Sequence, residues 1–416
     1  MSEVVSLEEL CTGIIDCPHS TPKWQDKGIP VIRSYNLKDG KIDCANLSFV
    51  SEEDYKERVK RAIPEESDII ISREAPMGVV GIVPKGFQCC LGQRLVLLKI
   101  DKSKCLPKYL LYTLMSEYVQ LQIRRINQTG SIVSNLNISS LRELKIPLHS
   151  FEEQKKIANI LSAIDDKISL NNQINQELEA MAKTLYDYWF VQFDFPDQNG
   201  KPYKSSGGKM VYNPELKREI PEGWGVEDLK EFESKIITGK TPSRANSDNF
   251  GGEIPFITIG DIRGNTFIYR TSESLTDLGA NVQQNKYLPE GSLCVSCIAT
   301  VGEIGFTTEP SHTNQQINSI VFEDETNRYY LYFVLKNYFE NANASAKTGN
   351  TFANMNKEDF SGIRIILPSE EIKKNFHEIS EPYFAQIKCL QGQNQELIQL
   401  RDWLLPMLMN GQVKVE

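Results

Sequence analysis

The chain repeats itself. Gly28-Ile-Pro-Val-Ile-Arg33, followed by Asn36 and Asp39-Gly-Lys-Ile42, returns as Glu253-Ile-Pro-Phe-Ile-Thr258, followed by Asp261 and Arg263-Gly-Asn265. Ile63-Pro-Glu-Glu-Ser-Asp-Ile-Ile-Ile71 matches Leu288-Pro-Glu-Gly-Ser-Leu-Cys-Val-Ser296. Gly78-Val-Val-Gly-Ile-Val83 matches Gly302-Glu-Ile-Gly-Phe306, Tyr109-Leu-Leu-Tyr matches Tyr329-Tyr-Leu-Tyr, and Thr129-Gly130 matches Thr348-Gly349. The blocks keep their order, which chance does not produce. Agreement of the blocks in sequence marks an internal duplication.

Each copy ends in a long helical pattern. Positions 151–190 contain neither Pro nor Gly. Ile157, Leu161, Ile164, Ile168, Leu178, Ala182, Leu185 and Trp189 recur in alternating steps of four and three, interrupted only at Asn171 and Asn175. That is a heptad seam. Phe376, Tyr383, Ile387, Leu390, Leu397, Leu404 and Leu408 repeat it over about 370–409, and a step of 219 residues carries Ile157 to Phe376, Asn175 to Asn394 and Leu185 to Leu404. Forty helical residues make a rod of roughly 60 Å. The expected arrangement is an antiparallel pair of such rods, with polar Asn175 and Asn394 setting register. The competing reading has each helix serving only as a core element of its own domain.

Between these helices lie blocks of mixed character. Short apolar runs bounded by Gly and Pro (69–72, 95–100, 254–259, 317–322, 363–367) predict strands, and helical patterns follow at 106–124 and 326–343. Residues 195–209 read as a polar linker rich in turn residues. The expected fold class is therefore α+β: two duplicated mixed α/β domains and two long antiparallel coiled-coil helices in a pseudo-two-fold repeat. The expected bounds are 1–150, 151–195, 196–368 (with 196–219 as linker) and 369–416.

Composition narrows the function. The net charge is −9, yet the first 150 residues carry 20 basic and 18 acidic side chains, so nucleic-acid binding stays open for that block. No apolar run approaches the roughly 20 residues of a membrane span, and the N-terminus has no signal-like pattern. Nine scattered cysteines fit reduced thiols. The expected location is the cytoplasm.

Catalytic patterns are missing. Gly239-Lys240-Thr241 resembles the end of a phosphate-binding loop, but Ser234 stands where the motif requires Gly. Cys294-Val-Ser-Cys297 is half a zinc site without a second half and reads as buried packing, as does Cys89-Cys90. The chain reads as a binder with no catalytic residue and no metal site of its own. Polar residues in matched turns are the candidate DNA contacts. In the first copy these are His19, Ser20, Thr21, Lys23, Arg33, Asn36, Arg73, Gln93, Arg94, Gln128 and Thr129. In the second they are Thr241, Ser243, Arg244, Asp261, Arg263, Asn314, Gln315, Gln316, Thr348 and Asn350. Arg, Lys, Asn and Gln can read guanine and adenine edges, while Ser and Thr position phosphates. Ordinary solvated turns are the competing reading, and Arg124-Arg125 reads as a surface pair.

With these features the chain resembles the specificity subunits of type I restriction–modification systems. The resemblance spans essentially the whole chain. It rests on Phe151-Glu-Glu-Gln-Lys-Lys-Ile157, Asp187-Tyr-Trp-Phe-Val-Gln-Phe-Asp194, Ile220-Pro-Glu-Gly-Trp224, Thr238-Gly-Lys-Thr-Pro-Ser243 and Leu400-Arg-Asp-Trp-Leu-Leu-Pro-Met-Leu-Met-Asn-Gly-Gln412. It implies two target-recognition domains reading a bipartite DNA sequence, with the helices as spacer and as dock for two methyltransferase subunits. Restriction/translocase subunits would join them. S-adenosylmethionine, ATP and Mg2+ would belong to those partners. The alternative is a non-enzymatic coiled-coil scaffold whose paired domains bind protein.

Overall fold

A computed structural model describes residues 3–128, 135–346 and 354–413. The chain divides into two compact units, Met1–Ile168 with Leu397–Glu416, and Ser169–Glu396.

In the first unit, Ile69–Ser72 and Leu95–Ile100 are continuous apolar runs, as strands buried on both faces require. They form the middle of an antiparallel sheet ordered Cys11–Asp16, Leu95–Ile100, Ile69–Ser72, Val80–Ile82. A smaller sheet sets Ile29–Ile32 between Ser48–Val50 and Cys90–Leu91. The block closes on itself where Glu3–Ser6 pairs with Lys145–Leu148. The helix expected at 106–124 is two helices, Pro107–Met115 and Glu117–Gln128, broken at Ser116, whose backbone is extended.

The second unit repeats this plan. Ile236–Thr238, Ile317–Ile320, Leu293–Ser296 and Ile304–Thr307 form the main sheet, with Phe267–Ile268 added at its edge. Phe250–Ile257 lies between Glu273–Leu275 and His312–Thr313, and Gly225–Asp228 pairs with Arg364–Leu367. The strand expected at 254–259 ends at Ile257, because Asp261 accepts from both the N–H and the hydroxyl of Thr258 at 2.7 Å and opens a helical turn.

Two long helices follow the closing strands, Phe151–Tyr186 and Glu370–Met409. The first starts on a capping box. The Glu153 carboxylate accepts from Ser150 N–H (3.1 Å) and Oγ–H (2.7 Å), which holds that carboxyl below its ordinary value. Within the first unit, Ile157, Ala158 and Leu161 share a core with Leu405, Leu408 and Met409, and Asp165 pairs with Arg401 at 3.1 Å. Within the second, Asn171 donates to Gln393 (2.9 Å) and Asn394 (2.8 Å), while Tyr186 and Phe190 pack on Phe376. In each unit rising numbers on one helix meet falling numbers on the other, so the helices run antiparallel.

The seam is broader than a strict heptad. Ile157, Leu161, Ile164, Phe376, Ile387 and Leu390 are buried, as are Asn175 and Asn394, whereas Ile168, Leu178, Leu185, Tyr383, Leu397 and Leu404 are half-buried. Phe384 and Leu405 are buried where Tyr383 and Leu404 were expected. Each helix also covers its unit's sheet and helices, which widens the apolar stripe beyond two positions in seven. The polar partner of Asn394 is not Asn175: Asn394 donates to Asn172 (2.8 Å) and accepts from Asn171.

Residues 195–209 are more ordered than a linker. The first long helix widens at Asp187–Val191, and Trp189, Phe190, Phe193 and Phe195 are buried. Phe195 stacks on Tyr203 (4.7 Å between centroids) and on Trp224 (4.9 Å), and Asp194 accepts from Ser205 N–H (2.7 Å) and Oγ–H (2.6 Å). The aromatic residues outweigh the turn-rich composition, because each ring can bury on the order of 150–250 Å².

Candidate nucleic-acid interface

In the first unit, strand ends and their loops converge. Asp16, at the end of Cys11–Asp16, accepts from Arg73 Nη1 at 2.9 and 3.0 Å and lies 3.2 Å from His19 Nε2. Arg73 follows Ile69–Ser72. It donates Nε to the Leu136 carbonyl (3.0 Å) and Nη2 to Asn135 (3.2 Å), and its backbone N–H donates to the Arg94 carbonyl (2.8 Å). Gln93 donates its amide to the His19 carbonyl. Arg94 has φ +69°, a left-handed backbone rare for a residue with a Cβ, and its exposed guanidinium pairs with Glu74 at 3.1 Å. His19, Arg73, Glu74, Gln93, Arg94 and Asn135 line an open depression of about 360 Å³.

The second unit builds the same frame with different side chains. Cys297 N–H donates to the Gln316 carbonyl (2.8 Å), as Arg73 does to Arg94. Met355 N–H donates to Cys297 (2.8 Å), as Leu136 does to Arg73 (3.0 Å). On this frame the Thr241 hydroxyl donates to Gln315 at 2.6 Å, in the places of His19 and Gln93. Gly239 makes this possible: a Cβ there would collide with the backbone of Thr313 and Asn314. The near-match to a phosphate loop is thus a close approach of two backbone segments. Asn314 accepts from Gln316 N–H (3.0 Å), Arg263 reaches Glu303 and Thr300 (both 3.2 Å), and Arg244 forms two bonds to Glu273 at 2.9 and 2.8 Å.

Several expected contacts turn inward. Asn36 is buried; its Oδ1 accepts from Arg33 N–H (3.0 Å) and its amide donates to the carbonyls of Asp43 (3.3 Å) and Asn46 (3.2 Å). Asp261 does the equivalent work at Thr258, and its other oxygen accepts from Ser272 N–H (2.8 Å). Arg73, 13% exposed, spends its guanidinium on the protein. These three are loop-builders rather than open readers. Ser20, Thr21, Lys23, Arg33, Gln93, Arg94, Ser243, Arg244, Arg263 and Gln315 are exposed. Gln128 ends its helix with a side chain outside the described residues, as are Thr129, Thr348 and Asn350 altogether. Arg124, on the helix face, pairs with Glu117.

Gly78 and Gly302, matched in sequence, mark paired turns after Ile69–Ser72 and Leu293–Ser296, but the sequence did not show what holds their tips. Ser72 Oγ donates to Pro76 O and Ser296 Oγ to Thr300 O, both at 2.6 Å, and Ala75 (φ +46°) and Ala299 (φ +67°) hold left-handed backbone at exposed tips. The one signal was a Gly at matched places, Gly78 (φ +83°) and Gly302 (φ +95°). Cys89, Cys90, Cys294 and Cys297 are buried: desolvation pushes the thiols of Cys89 and Cys294 up to about 12, and those of Cys90 and Cys297 to about 11. Such thiols stay protonated and inert at neutral pH. Among the described residues no group of three or more His, Cys, Asp or Glu could hold a metal ion.

The profile of the family described as "Type I restriction modification DNA specificity domain" matches twice, at residues 2–180 and 221–399, again 219 residues apart. The chain belongs to the family of type I restriction–modification specificity subunits. It is 33% identical over 362 residues to the type I restriction enzyme HindI specificity subunit of Haemophilus influenzae, covering 74% of this chain and 78% of the relative. It is 29% identical over 389 residues to the MjaIX specificity subunit of Methanocaldococcus jannaschii, covering 90% and 86%. A crystal structure of a type I restriction–modification S subunit from M. genitalium shares the fold, with TM-score 0.52 and 16% identity over 98% of this chain and 96% of that one.

The two matched spans make this family member a duplicated α+β recognition subunit, a class without catalytic function. Three of its family motifs contribute core residues. Trp224 lies 6.0 Å from the Phe190 ring and 5.7 Å from the Phe193 ring, joining Ile220–Trp224 to Asp187–Asp194. Leu405, Leu408 and Met409 of the last motif are buried in the first unit.

Proposed function

We propose that this specificity subunit reads a bipartite DNA target, one half-site per globular block, and docks methyltransferase subunits on its long helices. The observation that carries this is the double match to a DNA specificity domain, combined with two copies of one loop frame bearing different exposed side chains. A conserved frame with divergent tips suits two different half-sites read by one scaffold. The reading assigns 1–150 and 196–368 to target recognition, and 151–195 and 369–416 to the spacer. His19, Ser20, Thr21, Lys23, Arg33, Gln93 and Arg94 would face one half-site, and Thr241, Ser243, Arg244, Arg263, Asn314, Gln315 and Gln316 the other. Gln128, Thr129, Thr348 and Asn350, whose side chains lie outside the described residues, are candidates on the same sequence grounds. Arg73, Asn36 and Asp261 would act through the loops they hold.

The subunit would supply neither methyl donor nor nucleotide. S-adenosylmethionine, ATP and Mg2+ would bind two methyltransferase subunits and the restriction/translocase subunits joined to them, in the cytoplasm where the DNA lies. No helix among the described residues is long and apolar enough to cross a membrane. Exchanging 1–150 for the block of a relative tests the reading. One half of the methylated sequence should change and the other persist. A change in both halves, or in neither, would refute it.

A further inference from the structure

Arg33 differs from the ion-paired arginines Arg94, Arg244 and Arg263. Arg33 follows Ile29–Ile32, and its backbone is pinned by the bond from its N–H to Asn36. Its guanidinium carbon lies 5.4 Å from the ring centroid of Trp24 and 4.8 Å from that of Tyr35. Both rings are open to solvent, Trp24 at 45% and Tyr35 at 51% exposure. Large rings usually bury, so two of them beside one cation form an outward-facing platform.

The charge of this arginine is uncommitted. Arg94 pairs with Glu74, Arg244 with Glu273 and Arg263 with Glu303. Among the described residues no carboxylate stands within ion-pair distance of Arg33. The second copy has no equivalent: Thr258 occupies the matched position and caps a helical turn, and the Arg244 that lies over Phe250 at 5.0 Å is neutralised by Glu273. The two loop frames therefore present different chemistry.

We propose that Arg33, steadied between Trp24 and Tyr35, reads a guanine in the half-site of the first unit. This rests on the chain acting as a DNA specificity subunit. A guanidinium held by flanking rings keeps its plane fixed and its N–H edge free, and that planar fork matches O6 and N7 of guanine. Pre-organisation removes the ordering cost that a free arginine pays on binding. Trp24 and Tyr35 are positioning residues in this account.

The test uses the full chain co-expressed with its methyltransferase partner, with methylated sequences mapped for wild type, R33A, R33K and the W24L/Y35L pair. R33A should turn one guanine of one half-site degenerate, with preference there falling roughly 5- to 150-fold. The other half-site should be unchanged, which also reports that the complex is folded. R33K should not restore the preference, and W24L/Y35L should weaken it less than R33A. In DNA carrying 7-deazaguanine at that position, wild-type binding should weaken while R33A binding does not. An unchanged motif in R33A overturns the proposal. So does uniform weakening on all sequences that R33K repairs, which would mark a phosphate contact. If the wild-type complex methylates no defined sequence, the reading of the chain fails first, and Arg33 with it.

Discussion

Replacing Arg401 by Met in the first unit removes one member of a nearly solvent-free ion pair. The Arg401 and Asp165 side chains are 11% and 10% exposed and meet at 3.1 Å between Nη1 and Oδ1. Asp165 also accepts from Tyr112 Oη at 2.6 Å, and its backbone carbonyl accepts from Lys41 Nζ at 3.2 Å. Without the guanidinium, the buried carboxylate would keep the neutral Tyr112 donor but lose its ion-pair partner. The cost of stranding such a charge is about 3–5 kcal/mol. Removing both charges with R401M and Asp165→Leu should cost far less than the sum, because an apolar pair of similar volume avoids the desolvation penalty. The Tyr112 hydroxyl then loses its acceptor, which costs about 1–3 kcal/mol and limits the recovery. Urea unfolding followed by fluorescence and circular dichroism would read the four corners of this cycle. Refutation would be a loss below about 1 kcal/mol for R401M, or strict additivity, since the pair would then behave like an ordinary surface bridge.

Gly239→Val should destabilise the second unit and erase the second half of the methylated sequence while sparing the first, because its side chain would drive apart Lys240–Thr241 and Thr313–Asn314; normal methylation of both halves would contradict this. His312 is fully buried and desolvation lowers its pKa from 6.5 to about 4. Its folded pKa is depressed, so its contribution is present above pH 6.5 and lost as pH falls through about 4. A His312→Phe variant should show a flatter decline of melting temperature across that window than wild type, and parallel curves would refute the assignment. In the second unit, Asn171→Leu with Asn394→Leu removes a buried amide cluster whose Asn171 Oδ1 has no partner among the described residues. Melting temperature should rise, while light scattering should detect non-native association as register is relaxed; a lower melting temperature in a monodisperse sample would contradict it.

The duplication and the helices were legible because both depend on periodic apolar residues, and period survives divergence. Phe384 and Leu405 replaced the expected Tyr383 and Leu404 because a stripe that also covers a sheet is wider than a heptad seam, and neighbouring apolar letters cannot be ranked without the packing. The polar candidates were harder. Asn36, Asp261 and Arg73 have the residue types of base readers, yet short polar side chains also cap turns, and an arginine beside a strand-end carboxylate completes a loop. Their roles follow from partners distant in sequence: Arg73 is fixed by Asp16 and Asn135. Trp24 and Tyr35 carried no periodic signal and acquired meaning only when folding placed Arg33 between them. The motifs of the family were readable for another reason. Rings that lock onto Trp224 tolerate little change.

The most direct test of the central claim is a genome-wide map of methylated bases after co-expression with the neighbouring methyltransferase subunit in a host lacking such activity. The account predicts one split sequence with a fixed internal gap, its two halves altered independently by changes at Arg33 and at Gly239. A continuous sequence, or no defined sequence from a stable complex, would contradict it.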